Sequence, residues 1–222
     1  MNILNPVKEY YKKRIKEYEE IYYRDDPIRL EEIDYISNSL KKLMKDRTVL
    51  EIASGTGYWT QYISESAFKI IATDSINEML DYAKLKIYSC DIEFKVENAY
   101  ELSFKNYEFE AGVANFWFSH VPREEINLFI KEFHRVLKRN AIVFLADNIF
   151  NETIGGLLIK SNGDSNSYKL RKLKDGSEYK IVKNYYDKEE LFKLFSKYDK
   201  NFSESNIFYG KCFWYVYYYL NP

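Results

Sequence analysis

From Val49 onward, short apolar runs take turns with amphipathic stretches of helical period, and this alternation narrows the possible fold more than any other feature. Val49–Ala53 is a short apolar run ending in Ser54-Gly55-Thr56-Gly57, which reads as a strand feeding a turn, with a helix from about Tyr58 to Ser66. Lys69–Asp74, Ile92–Val96, Phe109–Phe116 and Ala141–Ala146 read as further strands, and Asn77–Tyr88 and Glu124–Lys138 as the helices among them. Strands that alternate with helices in this way build a parallel sheet covered on both faces.

The flanks follow other patterns. Val7–Tyr23 places Tyr11, Ile15, Tyr18 and Tyr22 at helical spacing among Lys and Glu, the mark of an amphipathic helix. Asp26-Pro27 breaks it, and a second helix is expected over Arg29–Lys45 with Leu30, Ile33, Ile36, Leu40 and Leu43 as its stripe. Near the other end, Tyr168–Lys174, Asp175-Gly176 and Tyr179–Lys183 read as a hairpin around an Asp-Gly turn. A helix over Asp187–Tyr198, with Asp187 as its N-cap, precedes closing strands near Phe202–Tyr209 and Cys212–Leu220, separated by Gly210. With 222 residues and neither repeat nor low-complexity linker, a single α/β domain over 1–222 is expected.

Charge and cysteine content exclude several classes. Lys and Arg number 33 against 34 Asp and Glu, so no global positive field draws the chain to nucleic acid, although a local patch is compatible with that balance. The 2 cysteines, Cys90 and Cys212, lie far apart without a CxxC pair, which fits a reducing cytosol and neither a disulfide framework nor a metal site. The N-terminal stretch is charged throughout and lacks the apolar core of a signal peptide, and no apolar run approaches the ~20 residues of a membrane span. The expectation is a cytoplasmic protein with no membrane partner and no metal.

The segment that carries chemistry is Val49–Thr60. A strand running into a glycine-bearing turn at the head of a helix is a nucleotide site, because glycine lets backbone approach a ligand and the helix start offers free N–H groups. Glu51 lies inside that strand, four residues before Gly55. A buried acid is costly unless paired and would repel a dinucleotide pyrophosphate, whereas S-adenosylmethionine (SAM) brings an ammonium and a sulfonium. Thr60 stands where the dinucleotide fingerprint has its third glycine. Asp74 closes the next strand, roughly twenty positions on, where an acid can bond both hydroxyls of an adenosine ribose. Together these favour SAM over a nicotinamide dinucleotide.

LEIASGTGYWT resembles motif I of the class I SAM-dependent methyltransferases, with Ala53-Ser54 in place of the usual glycine. Thr73-Asp74 with the following helix resembles the family's second motif, Glu97–Leu102 its adenine loop with Asn98 where an Asp is usual, and Phe109–Asn115 its fourth strand. The segments Tyr10–Tyr18 (YYxxRxxEY), Trp117–Pro122 (WxSHVP) and Gly163–Asn184 are similar to those of a bacterial branch of small methyltransferases whose acceptors are mostly unassigned. The resemblance implies a Rossmann-like seven-stranded mixed sheet in the order 3-2-1-4-5-7-6, an N-terminal helical cap over 1–46 and an inserted β-hairpin over 163–184. It implies a cofactor site drawn from Tyr11, Arg14, Tyr18, Glu51, Ala53, Gly55, Gly57, Trp59, Thr60, Asp74, Ser75, Asn98, Ala99, Asn115 and Phe116, with Arg14 or Tyr11 reaching the methionine carboxylate.

Trp117 and Phe118 are expected to wall the acceptor pocket, where aromatic faces suit a sulfonium or a methylated amine. His120, just past the fourth strand, is placed to act as general base, while His134 reads as structural. The expected reaction is methyl transfer from SAM to an O or N atom of a small molecule. The lysine-rich hairpin (Lys169, Arg171, Lys172, Lys174, Lys180 and Lys183) leaves a tRNA or rRNA base as the alternative acceptor, and a non-catalytic SAM-binding protein is a third reading.

Overall fold

The structure, a computed structural model, describes residues 4–23, 25–152 and 157–220; the first three residues of the expected cap lie outside them. Among the described residues, ten strands fall into two sheets. The larger holds β1 (Thr48–Glu51), β2 (Lys69–Asp74), β3 (Asp91–Val96), β4 (Phe109–Asn115), β5 (Leu137–Asn148), β9 (Ile207–Tyr209) and β10 (Phe213–Tyr219). Its order is β3-β2-β1-β4-β5-β10-β9. β1 to β5 are parallel, and β10 enters antiparallel to both β5 and β9. The expected order 3-2-1-4-5-7-6 is thus the observed one, with β9 and β10 as its last two strands. The smaller antiparallel sheet is β6 (Leu158–Lys160), β7 (Ser167–Lys172) and β8 (Glu178–Val182).

Helices cover both faces. α2 (Pro27–Met44) and α3 (Tyr58–Ser64) bury Ile33, Ile36, Leu40, Met44, Trp59 and Ile63 against Val49, Ile70, Val113, Ile142 and Phe144. On the other face α5 (Ile126–Arg135) and α6 (Lys188–Phe195) bury Phe129, Phe133, Leu191 and Phe195 against Leu50, Ile71, Val143, Leu145 and Trp214. Neighbouring strand residues such as Val49 and Leu50 go to opposite faces, as a period of two requires. α4 (Asn77–Ala83) leans on β2 and β3.

Several boundaries differ from expectation. The first helix is α-helical only over α1 (Leu4–Lys13), and Ile15–Ile21 continues as a 3-10 helix. The Arg14 amide is shared between the carbonyls of Tyr10 and Tyr11, and the tighter 3-10 winding brings Tyr18 and Glu19 down onto the glycine loop. α5 stops earlier than its apolar period suggests because Leu137 already pairs with Phe109 at the start of β5, and α4 ends at Ala83, where the Leu85 and Lys86 amides close a turn on the Tyr82 and Ala83 carbonyls. The Phe202–Tyr209 strand shrinks to Ile207–Tyr209, since Glu204–Asn206 forms a 3-10 turn capped by Ser203. β6 had no sequence signal, having two apolar residues and no alternation. No helix among the described residues is long and apolar enough to cross a membrane.

Candidate functional site

In an open parallel sheet, ligands lie beyond the carboxyl ends of the strands where the order reverses, here between β1 and β4. The β1–α3 loop bends there through left-handed backbone at Ala53 (φ 53°), Gly55 (φ 58°) and Gly57 (φ 80°). Ala53, where the family motif has glycine, adopts the conformation that glycine takes at least cost. Asp74, at the end of β2, accepts hydrogen bonds from the Gly55 amide (3.0 Å) and the Ile76 amide (2.9 Å), tying the two strand ends together. Burial pushes its carboxyl up to about 6 against the pull of those amides. Glu51 lies deeper, 1% exposed, and accepts from Thr60 Oγ1 at 2.6 Å. Burial pushes it up to about 7.

Beside this loop is a cavity of about 300 Å³ lined by Ile52, Ala53, Thr73, Asp74, Ser75, Glu97, Asn98, Ala99, Tyr100 and Trp117, with Val7 and Lys8 of α1 above it. A smaller cavity of about 60 Å³ adjoins it, lined among others by Tyr11, Tyr18, Gly55, Asp74, Phe116, Trp117 and His120. α1 and its 3-10 extension roof both. Glu19 reaches Thr56 Oγ1 (2.5 Å) and pairs with Lys86, and Lys12 pairs with Glu78 of α4 at 2.5 Å.

The expected site residues divide into three groups. Tyr11, Tyr18, Ala53, Gly55, Asp74, Ser75, Asn98, Ala99, Phe116, Trp117 and His120 all line the paired cavities. Glu51, Gly57, Trp59, Thr60, Asn115 and Arg14 are not among the residues that line them. Trp59 stacks on Phe116 and donates to the Tyr22 hydroxyl, and Arg14 donates to the Tyr10 hydroxyl. Phe118 is a correction: it is fully buried among Phe129, Tyr186, Phe195 and Trp214 and belongs to the core. The 3-10 turn Phe118–His120 rotates it inward while turning Trp117 and His120 toward the cavity. Ile52, Thr73, Glu97, Tyr100, Val7 and Lys8 were not anticipated; only their neighbours in the motifs pointed to them.

The polar atoms fit SAM. Ser54 Oγ and both side-chain polar atoms of Asn115 are buried with no hydrogen-bond partner, which is costly unless a ligand completes them. Ser54 lies in the loop that follows β1 and Asn115 ends β4, beside Asp74 and the glycine loop. Asp74 and the Asn98 loop could hold the adenosine, and Asn115, Ser54 and Tyr18 the amino-acid end. Phe116 keeps a left-handed φ of 57°, an outlier for a bulky residue, at the wall of the smaller cavity.

His120 is 3% exposed. Its Nδ1 lies 2.7 Å from the Val182 carbonyl, which can only accept, so Nδ1 carries the proton. Nε2 therefore holds the lone pair and accepts from the Tyr11 hydroxyl at 2.8 Å. Burial, with the Lys183 charge, pushes the imidazole down to about 3, so it is neutral at physiological pH. His134, by contrast, sits on α5 with its Nε2 against the Tyr218 hydroxyl (2.7 Å), far from the cavities in a purely structural setting.

The hairpin is not simply a solvated basic ribbon. Lys169 and Lys183 are buried on its inner side, and Lys174 pairs with Glu17 and Glu20 of the roof. Lys172 and Lys180 are exposed.

Residues 49–140 match the family model of a methyltransferase domain. No curated protein sequence matches the chain. Among solved structures, DhpI in complex with SAH is similar with a TM-score of 0.76 at 21% identity, covering 99% of this chain and 98% of that one. A protein from Pyrococcus horikoshii OT3 gives 0.74 at 20% identity, covering 97% of this chain and 99% of that one. A SAM-dependent methyltransferase from Methanosarcina mazei gives 0.61 at 20% identity, covering 81% and 94%. Likeness at these identities speaks to the fold; the family match falls on the strands and loops that build the cleft. Sheet order, cleft and family match agree: residues 49–140 are similar to a methyltransferase domain, and the fold is that of the class I SAM-dependent methyltransferases.

Proposed function

We propose that this chain is a SAM-dependent methyltransferase that, acting as one domain over 1–222, methylates an oxygen of a small-molecule acceptor, with His120 as general base. The observation that carries this reading is the roofed pocket in which Tyr11, Trp117 and His120 face the glycine loop. DhpI, similar at a TM-score of 0.75 and 21% identity, has been solved with SAM and HEP together, which supports an acceptor of that size. The inward turn of Lys169 and Lys183 and the pairing of Lys174 weaken the case for RNA.

When bound, SAM supplies a methyl group already activated on a sulfonium, so the protein's part is alignment, exclusion of water and care of one proton. Asp74 and Asn98 bind and orient the nucleoside, Asn115 the amino-acid end. The acceptor hydroxyl would take the place of the Tyr11 hydroxyl at Nε2 of His120 and pass its proton to that nitrogen, the new C–O bond forming as the methyl–sulfur bond breaks and its electron pair leaves on sulfur as a neutral thioether. An imidazole this weakly basic takes a proton from oxygen once alkylation has made the O–H strongly acidic. An alkylated ammonium would keep its proton, which is why oxygen is favoured over nitrogen.

Two measurements test the reading. Asp74→Ala is expected to weaken SAM binding about tenfold or more by isothermal titration, in keeping with loss of a charge-assisted bond; unchanged affinity removes Asp74 from the cofactor site. Labelled SAM offered with a metabolite extract and separately with a total tRNA and rRNA fraction should label the small molecules. Label confined to RNA would overturn the acceptor assignment.

A further inference from the structure

The base of the hairpin is bound to the His120 turn far more heavily than docking a surface ribbon requires. Asp147, at the end of β5, accepts from the Ser119 amide at 2.8 Å and from Ser119 Oγ at 2.9 Å. Lys183 donates to Ser119 Oγ (2.6 Å), Asp147 Oδ1 (3.1 Å) and Asn148 Oδ1 (2.9 Å), using all three of its protons. The two charged side chains are 6% and 0% exposed. Asn184 adds bonds from its amide to the Ser119 carbonyl and from Nδ2 to the Val121 carbonyl. Residue 119 precedes the histidine, and residue 183 follows Val182, whose carbonyl holds the ring at Nδ1. Both neighbours of the imidazole are therefore fastened by the same ion pair.

A buried ion pair is a poor way to gain stability, because taking both charges out of water costs about what their attraction returns. What it supplies is one fixed arrangement.

We propose that the Lys183–Asp147 pair is a positioning device for His120, locking Ser119 and Val182 so that the ring stays the Nδ1–H tautomer with Nε2 facing the cleft. This rests on the reading of His120 as the base, and it assigns Lys183, Asp147 and Ser119 a role in aligning that base while touching neither cofactor nor acceptor. With the pair gone, Val182 and Ser119 can drift, the ring can flip or exchange tautomers, and Nε2 loses its aim. Misplacement of a reacting group by about an ångström is enough to cost a hundredfold in rate.

The test is ring-nitrogen NMR of His120, which needs no acceptor, paired with methyl transfer from labelled SAM into the metabolite extract. Only two histidines are present, so His120→Gln identifies the signals. Wild type should show the single Nδ1–H tautomer. The double variant Lys183→Met with Asp147→Leu, which strands neither charge, should show mixed tautomers. It should also lose transfer about tenfold or more while its SAM affinity by titration stays that of wild type. If the double variant does not fold, Ser119→Ala removes only the bridging hydroxyl and should shift the same signals. Ring signals unchanged in whichever variant folds overturn the proposal, as does a wild-type ring protonated at Nε2. His120→Gln separates this from the reading beneath it: it should cost about a hundredfold in transfer. Full activity there would remove the base assignment, with the ring signals still deciding what the ion pair does.

Discussion

Gly57 shows how little freedom single positions in the cleft retain. Its φ of 80° is a left-handed conformation, and an added Cβ would collide with the Tyr88 hydroxyl, which is itself held on the Ala83 carbonyl. Left-handed backbone alone costs a residue with a Cβ ~1–2 kcal/mol. Gly57→Ala is therefore expected to lower stability by about 2 kcal/mol or more in denaturant titration. Adding Tyr88→Phe should recover part of that, because it removes the atom met first. Asp74 works under similar constraint, since the carboxylate that could bond a ribose already bonds the Gly55 and Ile76 amides.

At the scale of elements, α2 does more than cover the sheet. It begins with Asp26 accepting from the Arg29 amide and Pro27 in its first turn, an ordinary start. Its Glu32 then accepts from three successive amides, Lys211 (2.6 Å), Cys212 (3.0 Å) and Phe213 (2.9 Å), at the turn from β9 to β10. Gly210 leaves room for that carboxylate, which any Cβ there would strike. Glu32→Ala leaves these three amides, that of Phe213 buried, without their acceptor and should cost about 3 kcal/mol in denaturant titration, where Asp26→Ala costs about 1 kcal/mol. Equal losses would mean that the turn holds itself. The roof of α1 and its 3-10 extension is held by buried Val7, Tyr10 and Tyr22, and its partly exposed ion pairs such as Lys12–Glu78 and Lys174–Glu20 add little because solvent screens them.

For the whole molecule, the two buried acids set a dependence on pH. Glu51 and Asp74 are pushed up by burial, to about 7 and about 6, above their unfolded values. The folded protein then holds more protons than the unfolded chain through that interval, so their contribution to stability is present at low pH and declines as pH rises to about 7. His120 and His134, pushed down to about 3 and about 4, act the other way, favouring the fold above the unfolded histidine range and losing that contribution in acid. A cationic cofactor favours the ionised carboxyls. SAM affinity should therefore rise from pH 5.5 to 7.5 with proton release below 7, seen by titration in buffers of different ionisation enthalpy. Glu51→Gln should flatten that rise; the same slope in the variant would assign it elsewhere.

The alternation of strands and helices and the glycine loop were legible in the residues because both rest on local pattern: a period of two against one near 3.6, and glycines, Glu51 and Asp74 at set distances along the chain; the strand order came from the family resemblance. That same local pattern misassigned Phe118, since nothing in Phe116-Trp117-Phe118 says which ring a 3-10 turn will send inward. It also could not place Lys183. A lysine in a basic run reads as solvated, and only the docking of the small sheet on the end of β5 puts Asp147 and Ser119 within its reach. Period and spacing along the chain determined the scaffold and the place of the cofactor. Which nitrogen of His120 carries the proton, and what surrounds it, depends on residues 62 and 109 positions apart in sequence, and so was decided only when the chain closed on itself.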